Sequence, residues 1–317
     1  MANSNKDNNP DTNEPELLPA PLAYLNPEFL NSPDGRLLRI LSEYSEPLSR
    51  FRREKIQDTV VFFGSARFAS LPDAQNALTI LEKPGSAKPA LPHDQPGGKD
   101  GDSLQAALKR AHAGVEMARY YEDARKLAHM LTEWTLTLPG KRRRFVVTSG
   151  GGPGIMEAAN RGAHEAGGKT IGLNIRLPFE QYPNQYISPE LNFEFHYFFM
   201  RKYWFAYLAK ALVVFPGGFG TLDEFFEILT LAQTHKLAKK ILVIVYGKEY
   251  WNRVLNLEAL ADAGTISPED VNAFTVVDTP EEAFEVLKEG LTKYHLQPQP
   301  AKQAASDDGP EIAKTLP

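Results

Sequence analysis

The chain has 317 residues and no cysteine, and its 40 acidic against 35 basic side chains leave a formal net charge of −5. That length supports one large domain or two small ones with a substantial core. The missing thiols exclude disulfides, zinc-thiolate centres and cysteine nucleophiles, and the acid excess offers no footprint for gripping a nucleic-acid backbone, so no nucleic-acid partner is expected.

The opening stretch "MANSNKDNNPDTNEPE" lacks the basic-then-apolar order of a secretion signal. The longest apolar runs, "ALVVF" and "ILVIVY", are far too short to cross a bilayer. A cytoplasmic protein without a membrane partner is expected. Residues 1–16, and again 297–317, are poor in large apolar side chains, which predicts disordered tails. Between them, residues 17–296 are expected to form a single domain.

The first strand signal is "TVVFFG" (Thr59 to Gly64), an apolar run that ends in small residues. The Pro- and Gly-crowded "EKPGSAKPALPHDQPGGKDGD" (Glu82 to Asp102) then breaks the periodic pattern and marks an insertion over about residues 69–115. "YYEDARKLAHML" (Tyr120 to Leu131) has apolar residues three and four apart, as a helix requires. Further continuous apolar runs follow at "RFVVTSG" (Arg144 to Gly150), "KTIGLNI" (Lys169 to Ile175), "ALVVFPG" (Ala211 to Gly217) and "KILVIVYG" (Lys240 to Gly247), as in strands covered on both faces. Helical patterns at "IMEAANRGAHEAG" (Ile155 to Gly167) and "TLDEFFEILTLAQTHK" (Thr221 to Lys236) alternate with them, while "NFEFHYF" (Asn192 to Phe198) reads as a strand nearer an edge. This succession predicts an α/β protein with a Rossmann-like, doubly wound parallel sheet, in which ligands bind at the carboxyl ends of the strands.

Three of those strand ends carry glycine: "FFGSAR" (Phe62 to Arg67), "TSGGGPGIME" (Thr148 to Glu157) and "FPGGFGTLDE" (Phe215 to Glu224). Glycine lets main-chain amides close around an oxyanion, and the helix that follows adds unpaired amides and a positive dipole end. A steric need for glycine in tight turns is the alternative for any one loop; three such turns at one edge favour a phosphate. Neither glycine frame of the second loop fits the dinucleotide fingerprint, since the third glycine falls on Ile155 or Glu157. A mononucleotide or sugar phosphate suits the loops better. Glu224 follows Thr221 by three residues, which is either a capping box or a carboxylate one turn beyond the phosphate, at ribose distance. In the second case it could bind ribose hydroxyls and favour positive charge on the anomeric carbon. Asp223 would point elsewhere on the helix. In "FFMRKYWF" (Phe198 to Phe205), Arg201 and Lys202 precede the strand that leads into the third loop, and the planar fork of Arg201 suits an oxyanion.

Taken together, "PGGFGTLDE", "FFGSAR", "SGGGPGIMEAANRGAHEAGGKTIGLNI", the Arg201–Lys202 pair and "EILTLAQTHKLAKKILVI" resemble, in order, the LOG (Lonely Guy) family of cytokinin riboside 5′-monophosphate phosphoribohydrolases. Its members have often been mislabelled lysine decarboxylases. The resemblance runs from about Thr59 to Val277 apart from the insertion. It implies a homodimeric N-ribohydrolase that splits a nucleoside 5′-monophosphate such as AMP into free base and ribose 5-phosphate, and no cofactor or metal is expected. By position it implies Arg201 and Glu224 as the catalytic pair. Gly217, Gly218, Gly220 and Thr221 would form the phosphate loop, and Gly64, Ser65, Gly151, Gly152, Gly154 and Lys202 would line the site. Phe198 and Phe199 stand where plant-type members have Met and His, so the base preference of those members does not carry over to this chain. A non-catalytic nucleotide or molybdenum-cofactor carrier is the rival reading, because such a protein could use the same loops.

Overall fold

The computed structural model describes residues 19–83, 104–178, 182–234, 236 and 239–297. The tail expected over 1–16, all but the first residue of that expected over 297–317, and the centre of the expected insertion lie outside the described residues. Two compact units divide the chain, residues 1–43 and 44–317. The smaller holds a 3-10 turn (Ala23–Leu25) and helix α1 (Pro27–Asn31). The Asn26 side chain caps α1 by accepting the amides of Glu28 and Phe29 at 3.1 and 3.3 Å. Helix α2 (Arg36–Arg53) follows, and from Tyr44 on it belongs to the larger unit.

The larger unit contains one seven-stranded sheet, built from β1 (Thr59–Phe63), β2 (Val146–Ser149), β3 (Ile171–Ile175), β4 (Asn192–Phe195), β5 (Ala209–Val214), β6 (Leu242–Tyr246) and β7 (Thr275–Val277). The helices are α3 (Leu71–Glu82), α4 (Leu104–Leu136), α5 (Ile155–Glu165), α6 (Phe198–Leu208), α7 (Phe219–Gln233), α8 (Lys248–Val254), α9 (Leu257–Asp262) and α10 (Pro280–Leu291). All neighbouring strands run parallel in the order β4-β3-β2-β1-β5-β6-β7. The sheet is therefore the doubly wound one expected, and "NFEFHYF" does supply an edge strand. Helices α3 and α4 occupy both ends of the expected insertion.

Period-two alternation decides what each face of the sheet covers. Val60, Phe62, Val147, Ala211, Val213, Ile244 and Tyr246 pack in one core cluster with Leu127 and Leu131 of α4, Ala158 and Ala159 of α5 and Leu287 of α10. On the other face Phe63 meets Phe205 of α6 edge-on at 4.9 Å, and Phe51 of α2 meets Phe193 and Trp204. Side chains on both faces are buried, as the unbroken apolar runs require. At the lower end of the sheet the fully buried Asp58 accepts the Phe145 amide at 2.6 Å and Arg144 Nε at 2.7 Å. Burial pushes this carboxyl up and Arg144 opposes the shift. The bond holds Phe145 at φ 54°, a left-handed conformation that an aromatic residue seldom adopts.

The chain leaves β1 toward β4 on one side and returns to the other side of β1 with β5. The reversal between β1 and β5 is the topological switch point, where a crevice opens at the carboxyl ends of the strands.

Candidate functional site

Three glycine loops meet at that crevice, and Ser65 joins them. Its main-chain amide donates to the Pro216 carbonyl at 2.9 Å, and its own carbonyl accepts the Ile155 amide at 3.0 Å. The loop after β1 is thus bonded to the loop after β5 and to the start of α5. Gly64 makes the approach possible, because a Cβ there would stand 2.7 Å from the Ile155 side chain. Gly151 lies at φ 75° against the Asn174 amide, and Gly154 at φ 70° against the Ser65 carbonyl. Internal packing therefore accounts for Gly64, Gly151 and Gly154, and for Gly217, whose Cβ would meet Thr221 Oγ1 at 2.1 Å.

Gly218 and Gly220 differ. A Cβ on either would meet no atom of the chain within 4 Å, neither has a positive φ, and both are exposed. Nothing inside the fold asks for glycine there. Gly218 is also the N-cap of α7 and supplies no side-chain cap, so the first amides of that helix have no intrahelical acceptor. Because α7 begins at Phe219, two residues before the expected Thr221, Thr221 lies inside the first turn and the capping box does not form.

Glu224, one turn further on, is buried and faces Arg201 of α6. Arg201 Nη2 stands 3.7 Å from Glu224 Oε1, with the side chains 16 % and 7 % exposed. This is an ion pair too long for a hydrogen bond, and Arg201 Nε is buried without a partner. Burial pushes the Glu224 carboxyl up to about 7, against the pull of Arg201 and Lys202. Burial likewise lowers the Arg201 guanidinium, opposed by Glu224 and Asp223. Lys202 instead pairs with Asp223 at 2.7 Å and Glu227 at 2.9 Å. For Lys202 those two acids outweigh burial and raise the ammonium. Asp223 is more than half exposed and pairs with Lys202.

Phe198 and Phe219 are 52 % and 94 % exposed. Phe198 stands beside the ion pair, its ring centroid 5.5 Å from the Arg201 guanidinium carbon. Among the described residues no cluster of three or more His, Asp or Glu is placed to hold a metal ion, and no helix is long and apolar enough to cross a membrane.

Two supports of the site carry no local sequence signal. The Asn184 side chain donates to the Gly151 and Gly152 carbonyls, each at 3.1 Å, and Tyr250 Oη donates to the Gly217 carbonyl at 2.9 Å. Behind the second loop, Ser149 Oγ accepts the Gly151 amide and donates to Asn160, which in turn donates to Thr170.

Residues 156–287 match the family described as "Possible lysine decarboxylase". Curated relatives include the cytokinin riboside 5′-monophosphate phosphoribohydrolase LOG7 of Arabidopsis thaliana, 28 % identical over 47 % of this chain and 64 % of the relative. The enzyme of that name from Rhodococcoides fascians is 32 % identical over 39 % of this chain and 62 % of its own length. The match to the probable enzyme LOGL2 of Oryza sativa covers 59 % of that protein. This chain thus spans about three fifths of the length of these relatives. Among solved structures, the molybdenum cofactor binding protein of Rippkaea orientalis is 19 % identical with a TM-score of 0.40, over 54 % of this chain and 86 % of that one. The Moco carrier protein of Chlamydomonas reinhardtii is 21 % identical with a TM-score of 0.38, over 55 % and 89 %.

Proposed function

Because the chain is similar in sequence to the LOG family, we propose that it is a phosphoribohydrolase acting on nucleoside 5′-monophosphates, with AMP or an N6-substituted AMP as substrate. The observation that carries this reading is the buried Arg201 and Glu224 pair, set one turn beyond an uncapped, glycine-opened helix start. The 5′-phosphate sits on the amides of Gly218, Gly220 and Thr221, which have the dipole end of α7 behind them. Gly64, Ser65, Gly151, Gly152 and Gly154 shape the opposite wall. Lys202, fixed by Asp223 and Glu227, adds positive potential beside the loop. Glu224 holds the ribose hydroxyls and stabilises the oxocarbenium-like charge as the C1′–N bond breaks. Arg201, with a buried Nε to spare, neutralises phosphate or assists the departing base. Water adds to C1′ and a proton goes to the base, giving free base and ribose 5-phosphate. Phosphate binding remote from the bond orients the anomeric carbon. The same reading makes the protein a cytoplasmic homodimer.

The test is incubation of the purified chain with a panel of nucleoside monophosphates, separating base from ribose 5-phosphate by chromatography, with unphosphorylated nucleosides as controls. Base release from a monophosphate is the expected result. AMP binding without release would make the protein a carrier, and no binding would make the loops vestigial.

Two further results are expected. Gly220→Ala, inside the first turn of α7, does not lower the unfolding midpoint, because the added methyl meets nothing within 4 Å and alanine favours the helix, yet it weakens AMP binding at least about tenfold by intruding on the anion. Equal losses in stability and affinity would place the need for glycine inside the fold. The second result concerns pH: the Glu224 carboxyl titrates near 7 and works ionised, so kcat/KM for AMP climbs with pH, bends near 7 and is flat above. In Glu224→Gln that inflection disappears from the residual activity, while the phosphate's own titration near pH ~6 persists.

A further inference from the structure

We infer that Asn184 and Tyr250 are positioning residues for the anion site, each holding a peptide plane so that its amide faces the crevice. The inference rests on the phosphate-binding reading of the glycine loops. In a trans peptide the C=O and the following N–H point in opposite directions, so whatever holds the carbonyl also aims the amide. Glycine-rich loops need such holding, since glycine alone leaves φ and ψ free and an unbound loop would spread its amides over many directions.

Each carbonyl in question has its own holder. The Gly217 carbonyl accepts Tyr250 Oη at 2.9 Å, which aims the Gly218 amide the other way. The Pro216 carbonyl accepts the Ser65 amide at 2.9 Å, which does the same for the Gly217 amide. The Gly151 carbonyl accepts both the main-chain amide of Asn184 at 2.8 Å and its Nδ2 at 3.1 Å, which sets the Gly152 amide. The Gly152 carbonyl also accepts Asn184 Nδ2, but the next residue is Pro153 and has no N–H to aim.

Asn184 is itself fixed. Its Nδ2 donates to the buried Asn160 Oδ1 at 2.9 Å, and its Oδ1 accepts the Tyr186 amide at 3.2 Å. Tyr250 stands in the first turn of α8, whose N-cap is Gly247, a left-handed residue at φ 95° packed against the Tyr120 ring. Both side chains reach the loops from outside the glycine motifs, and the bonds they make there are to loop carbonyls. Their effect should therefore follow the phosphate alone.

The experiment measures dissociation constants of AMP, ribose 5-phosphate and adenosine for the full chain and for Tyr250→Phe, Asn184→Ala and Asn184→Asp, with unfolding midpoints alongside. Tyr250→Phe keeps the ring and loses one hydrogen bond, so AMP and ribose 5-phosphate should bind about fivefold more weakly. Either Asn184 variant removes the side-chain donor and leaves the main-chain amide of residue 184 on the Gly151 carbonyl at 2.8 Å, so a loss of about fivefold is expected here too. Adenosine affinity should not move in any of them. In turnover, KM for AMP should rise with kcat held, the signature of binding lost equally in ground and transition states. Combining Tyr250→Phe with Asn184→Asp should multiply the losses, since the two act on different loops. Folded variants that bind AMP as the wild type does, or that lose AMP and adenosine alike, overturn the positioning role and leave the functional reading intact. A wild-type chain that binds neither AMP nor ribose 5-phosphate overturns both.

Discussion

Glu224→Gln is expected to lower AMP turnover by roughly 1000-fold while leaving AMP affinity within a few-fold of wild type, since the amide keeps the shape and the hydrogen bonding but not the negative charge. The same substitution should make the protein more stable. Burial is the largest influence on this carboxyl and raises it from 4.5 to about 7, so the fold prefers the protonated group. A raised acid contributes its full stability below the unfolded value and loses it as pH climbs through the folded one. Ionisation of Glu224 therefore costs about 3 kcal/mol above pH ~7. Glutamine never incurs that cost. Denaturant unfolding near pH 8 should show the variant ahead by that order, and near pH 4 the two chains should unfold alike. A charged residue kept where it destabilises the resting protein is the expected signature of a site built for a transition state. Base release that persists in the variant, or a variant less stable than wild type at pH 8, would remove Glu224 from the role assigned to it.

The sheet was legible because strands covered on both faces need nothing but apolar residues. The runs at Val60, Val147, Ile171, Leu212 and Val243 announce themselves without reference to any partner. β7 was not legible: it has three residues, two of them exposed, and its pairing with β6 is what makes it a strand. That Arg201 or Lys202 returns to the loop before Glu224 was legible from chain order, because α6 leads directly into β5 and β5 into that loop, whereas the choice of Arg201 and Glu224 as a pair came from the family resemblance. The start of α7 was not. T-x-x-E at Thr221 reads as a cap, but the backbone enters the helix at Phe219 through an N-cap glycine that has no side chain to betray it. Asn184 and Tyr250 lie 33 residues from Gly151 and from Gly217 respectively, and only the folded chain brings them to those carbonyls. The loops could thus be found from their glycines, while the groups that hold their peptide planes could not.

Gly154→Ala carries the other large effect, and comparison with a second glycine divides it into parts. Gly154 adopts φ 70° and ψ −132°, a region that residues with a Cβ avoid. An added Cβ would also stand 2.3 Å from the Ser65 carbonyl oxygen and 2.7 Å from the Ala66 carbonyl carbon. These are main-chain atoms, and the Ser65 carbonyl is the one that accepts the Ile155 amide. It cannot swing aside as the end of a side chain would without breaking the bond between the first and second loops. Gly167, at the end of α5, has φ 77°, but a methyl added there would meet no atom within 4 Å, so Gly167→Ala isolates the backbone strain, about 1 kcal/mol. Gly154→Ala adds the clash to its own strain and should cost about 3 kcal/mol or more in unfolding free energy. Because the clash parts the two loops that flank the crevice, AMP affinity should fall with it, whereas Gly167→Ala should bind AMP as the wild type does. Equal stability losses in the two variants would show that the seam at Ser65 yields freely, and the rigid three-loop cradle would then be wrong.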